Sequence, residues 1–150
     1  MTKQLRFIFF TPLLLLVLTG CIPEGDLQPI IPKDYLNDNS SKVWLVAEET
    51  EGGKDYSPFK REKKQTFLFF DDGTFYVQQL GDWGTGKFYS GTYIFSINNR
   101  NSELQLDLDY GGGNKVGFWV LESLRNRFVL EYKDIPERKI VLTTITKPER

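Results

Sequence analysis

The sequence predicts an all-β domain, an eight-stranded antiparallel up-and-down barrel set behind an apolar leader and a short tether. Three observations carry that expectation. After Ser41, eight segments of strand length alternate or run apolar, and turn formers such as Gly, Asn and Asp divide them. None of that region repeats its apolar residues at the helical interval. Aromatic residues, 12 Phe and 7 Tyr among them, make up 15% of the 150 residues, which suits strands packed over a large apolar interior.

The leader comes first. Phe7 to Thr19 is an apolar run preceded by Lys3 and Arg6 and followed by a small residue, the three-part layout of a secretory signal. It falls short of the roughly 20 apolar residues that a membrane span needs. The four residues that close it, Leu18-Thr19-Gly20-Cys21, resemble the lipobox of bacterial lipoproteins. That resemblance implies cleavage after residue 20 and acylation of the Cys21 thiol with palmitate-like chains. Cys21 is the only cysteine, so it has no partner for an internal disulfide, and lipidation accounts for an otherwise unpaired thiol in a secreted chain. Stable anchoring takes more than one acyl chain, which a lipoprotein cysteine normally carries. Ile22 rather than Asp follows the cysteine, and the resemblance then implies the outer membrane.

Residues 1–20 are therefore read as a lipoprotein signal peptide, 21–41 as the lipidated N-terminus and a flexible tether, and 42–150 as the barrel. Three prolines and several turn formers without periodicity mark residues 22–41 as tether. Ile30, Ile31, Tyr35 and Leu36 equally suit a segment packed against the domain. Without the leader, Lys3 and Arg6 are lost, leaving 17 basic against 20 acidic residues. Such a balance argues against a nucleic-acid partner, which needs a basic surface.

The predicted strands cover residues 42–49, 64–70, 74–80, 86–97, 102–109, 115–122, 127–133 and 138–146. The fifth alternates most cleanly, with Leu104, Leu106 and Leu108 opposite Glu103, Gln105, Asp107 and Asp109. The seventh repeats the logic with Phe128, Leu130 and Tyr132, and the eighth puts Ile140 and Leu142 on one face. The first two are apolar on both sides and ask for cover outside the barrel wall. Asp72-Gly73, between the second and third, suits a type I′ hairpin turn, which explains both Asp71 and Asp72 without a calcium or catalytic role.

In such a meander the connections alternate between two ends. The long ones, rich in Gly and aromatic residues, collect at one end: 50–63, 81–85, 110–114 and 134–137. Shorter polar ones collect at the other. Binding residues favour such loops. Trp83, between Gly81-Asp82 and Gly84, is a candidate ligand or partner contact, as are Tyr56 and Phe59 in the first long connection and Tyr110 before Gly111. Lys60 to Lys64 reads as a solvated charge run, and Gly111 to Gly113 lacks the following helix of a phosphate loop.

The chain resembles the lipocalin-like domains of lipoproteins from Bacteroidetes-type bacteria. The residues carrying the resemblance are Lys-Val-Trp-Leu-Val at 42–46, Phe-Phe-Asp-Asp-Gly-Thr-Phe at 69–75, Gly-Thr-Tyr-Ile-Phe at 91–95 and Phe-Val-Leu-Glu-Tyr at 128–132. It departs from strict lipocalins in having Lys42 where they have Gly, and in leaving too few residues after Thr143 for a closing helix. The resemblance implies a barrel that either holds one small apolar molecule or fills with side chains. If Phe70, Phe75, Phe118, Phe128 and Tyr132 all point inward, rings fill it.

The chain has no His, which removes the commonest general base and metal ligand together with Ser-His and Cys-His chemistry. No enzyme, catalytic residue, cofactor or metal is expected; an enzyme built on Asp82, Asp107 or Asp109 is the least favoured reading. The leading expectation is a membrane-anchored barrel binding a small apolar or amphipathic ligand at its open end. The alternative is a non-catalytic structural or interaction subunit docking on an outer-membrane protein complex.

Overall fold

Alternation decides the architecture strand by strand. The computed structural model describes residues 32–98 and 100–145. Among the described residues are one short α-helix, α1 (Pro32–Asn37), two single-turn 3-10 helices (Arg61–Lys63 and Leu80–Asp82) and nine strands: β1 (Ser41–Glu51), β2 (Lys54–Asp55), β3 (Gln65–Phe70), β4 (Thr74–Gln79), β5 (Tyr89–Ile97), β6 (Leu104–Asp109), β7 (Lys115–Leu124), β8 (Arg127–Tyr132) and β9 (Arg138–Thr144). The eight expected strands are β1 and β3 to β9, and β2 is a two-residue hairpin return onto the end of β1. Neighbours in sequence pair antiparallel from β3 to β9. β1 closes the ring by pairing β3 through Ser41–Leu45 and β9 through Trp44–Glu51. The result is a closed eight-stranded antiparallel barrel, in which no long strand of the wall is left as an open edge.

Cross-strand partners share a face, so the pairing fixes what points inward. Leu106 opposes Phe118, and Phe118 opposes Tyr132. Trp44, Phe69, Phe75, Phe118 and Phe128 are fully or almost fully buried among Leu106, Leu108, Leu130, Ile140 and Leu142. The rings meet edge-on or tilted: Trp44 and Phe128 at 5.0 Å between centroids, Phe69 and Tyr93 at 5.1 Å, Phe118 and Tyr132 at 4.7 Å. Such contacts add to the area they bury. The interior is therefore a packed aromatic core. One ring of the expected inward set is on the other side: Phe70 lies on the outer wall against Tyr76, 5.3 Å away, and Phe69 is the inward member of that pair.

The turn between β3 and β4 also differs from expectation. Only Gly73 has a positive φ, 86°, so a type I′ turn, which needs two such residues, is not formed. Instead the Gly73 N–H donates to the Phe70 carbonyl at 3.3 Å, closing a four-residue β-turn over Phe70 to Gly73. Asp72 holds it by accepting hydrogen bonds from the Thr74 backbone N–H at 2.8 Å and hydroxyl at 2.6 Å, which keeps its carboxyl below its usual pKa.

Of the two readings of residues 22–41, the packed one describes Tyr35 and Leu36; Cys21, Ile30 and Ile31 lie outside the described residues. α1 starts on Pro32, a residue suited to the first helical turn. It covers the end of the barrel that carries the short turns. Leu36 is fully buried, and its carbonyl accepts the Trp44 indole N–H at 2.7 Å. The buried Asn37 amide donates to the Tyr93 hydroxyl at 3.1 Å, which in turn donates to the Phe70 carbonyl at 2.5 Å. Lys42 donates to the carbonyls of Tyr35 and Arg125 while its ammonium lies 4.7 Å from the Trp44 ring centroid. Burial lowers its pKa, with Asp38 opposing and Arg125 assisting. This end is closed.

Candidate functional site

The opposite end, where the long connections gather, is built differently on its two sides. On one side a β-bulge between Val46 and Glu48 in β1 reverses the facing of the strand. Glu49 then opposes the inward Ile140, and Glu51 opposes Arg138, so both acids face the mouth. The Arg138 guanidinium donates to one Glu49 carboxylate oxygen from Nη2 at 2.5 Å and from Nε at 3.1 Å, and it lies 4.7 Å over the Tyr132 ring. Arg138 is raised in pKa by the Glu49 bond, and Tyr132 by burial first and the Glu49 charge second. Tyr110 adds an edge-on contact with Phe75 at 5.0 Å. Burial pushes its phenol up to about 12. Rings and an ion pair thus seal this side.

The other side parts. β5 pairs with β4 only from Thr74 to Val77, so Gln78 and Gln79 have no β5 partner. The strands separate there, and the 80–88 connection bows outward. Close approach is kept just below the opening by Gly91: a Cβ at that position would sit 2.1 Å from the Asp109 carbonyl oxygen and 2.8 Å from the Phe75 ring. The opening is a cleft of about 470 Å3, lined chiefly by Gln65, Val77, Gln79, Asp82, Lys87 and Tyr89. Val77 is almost fully buried and supplies an apolar floor. Amides, one carboxylate and one ammonium form the rim.

Round the lip, on the outer wall, lies a second hollow of about 180 Å3 between Thr66, Leu68, Tyr76, Trp83 and Phe88. Gln78 and Phe88 line both hollows, making them neighbours along the same seam. Trp83 is held here rather than over the mouth. Its indole N–H donates to the Thr66 hydroxyl at 2.9 Å, and that hydroxyl donates to the Gln78 carbonyl at 2.9 Å. Among the described residues it is this loop that supplies the outside cover the apolar second predicted strand asked for: Thr66, on the outer face, is 1% exposed.

The four expected contact residues are not gathered into one site. Trp83 lines the outer hollow, and Tyr110 borders a shallow hollow of about 400 Å3 with Tyr89, Asn114, Lys115 and Val116. Tyr56 and Phe59 are exposed in the first long connection, Tyr56 with the Lys54 ammonium 5.3 Å from its ring. The three acids weighed for chemistry are likewise apart. Asp107 and Asp109 border an outer-wall groove of about 460 Å3, and Asp82 borders the seam. Asp107 is held by the Lys133 ammonium at 2.6 Å, whose stem crosses the bare backbone of Gly117. The Gly111 backbone N–H keeps the exposed Asp109 below the usual carboxylate range. No group of three or more metal-ligating side chains occurs among the described residues.

Sequence reasoning missed Gln65, Gln79 and Lys87 because the fourth predicted strand, 86–97, begins three residues before β5 and hides the gap. Glu49 and Arg138 were missed because a bulge decides their facing. No family model, no curated protein and no solved structure matches this chain.

Proposed function

We propose that the chain is a lipid-anchored, non-enzymatic binding module of the bacterial envelope, lipocalin-like in plan, which takes a small amphipathic molecule at the open end of its barrel. The observation that carries the reading is the cleft where β4 and β5 part. Its volume of about 470 Å3 lies within the range of small-molecule sites, roughly 300–1,000 Å3, and it combines an apolar floor with a few polar groups, as such sites do. Because rings occupy the interior, the ligand rests in the seam instead of descending into the barrel. Leu18 to Cys21 supports the anchor and Ile22 the outer membrane. Replacing Cys21 by Ala is expected to abolish palmitate labelling; a labelled variant rules the anchor out.

The ligand half is tested by Trp fluorescence. The full chain in lipid nanodiscs is titrated with short-chain fatty acids and alkyl glycosides. A saturable response that Phe88→Ala abolishes is expected. A response that stays linear for every probe, or that ignores the substitution, contradicts the reading. The alternative, docking on an outer-membrane protein, draws on the exposed rings beside the seam, Tyr76, Trp83 and Phe88. Co-purification of one protein after crosslinking, with no response to any probe, would favour it.

A further inference from the structure

We infer that the seam binds a chain of neutral sugar units, one ring lying against Trp83 on the outer wall and the next in the cleft beside Gln79. The inference rests on the open-end reading and gives its ligand a chemical class.

The two hollows are adjacent and differ in lining as the two aspects of a pyranose differ. A pyranose has apolar C–H faces and a rim of hydroxyls that both donate and accept. The outer hollow offers flat apolar surface: Tyr76, Trp83 and Phe88 are 39%, 42% and 50% exposed, so their rings are half open to solvent in spite of their size. Tyr76 and Phe88 lie 4.8 Å apart at 35°, forming one tilted platform. Trp83 is fixed by its bond to Thr66, so stacking on it costs little ordering. The cleft offers Gln65 and Gln79, with Gln78 on the outer face at the lip between the two hollows, and a primary amide donates and accepts from one group, as vicinal hydroxyls require. Gln78 uses its backbone carbonyl for Thr66, and among the described residues none of the three side-chain amides has a protein partner. Asp82 and Lys87 place one charge of each sign on the rim, which suits an uncharged chain.

Other occupants fit less well. An acyl chain leaves the amides unanswered, and a desolvated amide without a partner is costly. A proline-rich peptide offers mainly carbonyl acceptors, so it would answer the N–H half of each glutamine amide and leave the amide oxygens without donors.

The test is calorimetry on the full chain in lipid nanodiscs with maltohexaose, cellohexaose and chitohexaose, run beside an alkyl glycoside and a proline-rich peptide. Saturable binding of at least one hexaose is expected, weakened about tenfold or more by Trp83→Ala, a loss of one stacked ring. Gln79→Ala, at an exposed position of β4, should weaken it several-fold with no change in the denaturation midpoint, separating recognition from folding. If no hexaose binds, or if binding ignores both substitutions, the inference is overturned. Should the alkyl glycoside still saturate at the seam, the open-end reading survives without the sugar chain; when neither binds, both fall. Preference for the peptide over every hexaose also overturns it.

Discussion

Two tryptophans at opposite ends of the barrel make the same kind of bond and have different fates. Trp44 donates its indole N–H to the Leu36 carbonyl at 2.7 Å and is fully buried, whereas Trp83 donates to the Thr66 hydroxyl at 2.9 Å and remains 42% exposed. The difference lies in what the rest of the chain brings to each end. At the short-turn end α1 lays Leu36 over the core, and Asn37, Tyr93 and Lys42 have their polar atoms answered by neighbouring segments. At the long-loop end nothing comparable among the described residues covers the seam beyond Val77, and the Gln65 and Gln79 amides have no protein partner among them. An end whose buried polar groups are satisfied stabilises; an end with exposed groups to spare can recognise.

The largest expected effect is at Trp44. Trp44→Ala should cost about 3–5 kcal/mol, the usual result of emptying a large buried aromatic site. Trp83→Ala should cost far less, and denaturant midpoints of the two variants measure the contrast; equal losses would break it. Asn37→Ala comes next, at about 1–3 kcal/mol, because it strips a buried hydrogen bond from Tyr93. Its loss should appear in hydrogen exchange as faster opening of β1 and β3 near α1, with the seam unaffected.

The third effect is on pH dependence. The Tyr110 phenol titrates at 10.0 when free and at about 12 in the fold. Its folded value is raised, so its contribution is fully present below pH 10 and is lost as pH climbs through the folded value. Between those values the unfolded chain gives up a proton that the folded chain keeps, and stability falls with rising pH. Tyr93 and Tyr132, also raised chiefly by burial, act in the same direction. Tyr110→Phe should flatten part of the fall seen in denaturation midpoints between pH 10 and 12. An unchanged slope would place the Tyr110 ring in water and open the sealed side of the mouth.

Strand number, order and most facings were legible in the sequence, because alternation such as Leu106 and Leu108 against Gln105 and Asp107 leaves one register that buries the apolar set. Thr66 to Phe70 was ambiguous for the same reason in reverse: with apolar residues on both faces, pattern alone cannot choose Phe69 over Phe70. A helix of six residues leaves no periodicity to read, so α1 was visible only as Tyr35 and Leu36 in a proline-rich stretch. Bulges escape pattern reading as well, and the one after Val46 decides that Glu49 faces Arg138. The candidate site suffered most, since the seam exists where a ladder stops, at Val77 and Tyr89, and a missing pairing has no residue of its own.

The claim on which the account depends is that ligands meet this barrel along its seam and never inside it. Amide chemical-shift mapping during titration of the full chain in nanodiscs with an alkyl glycoside tests it directly. The account predicts saturating shifts at residues 65, 76–79 and 82–89, with Phe69, Leu106, Phe118 and Phe128 unmoved. Shifts centred on those four core residues would show that the rings give way to a ligand in the interior, and would contradict it.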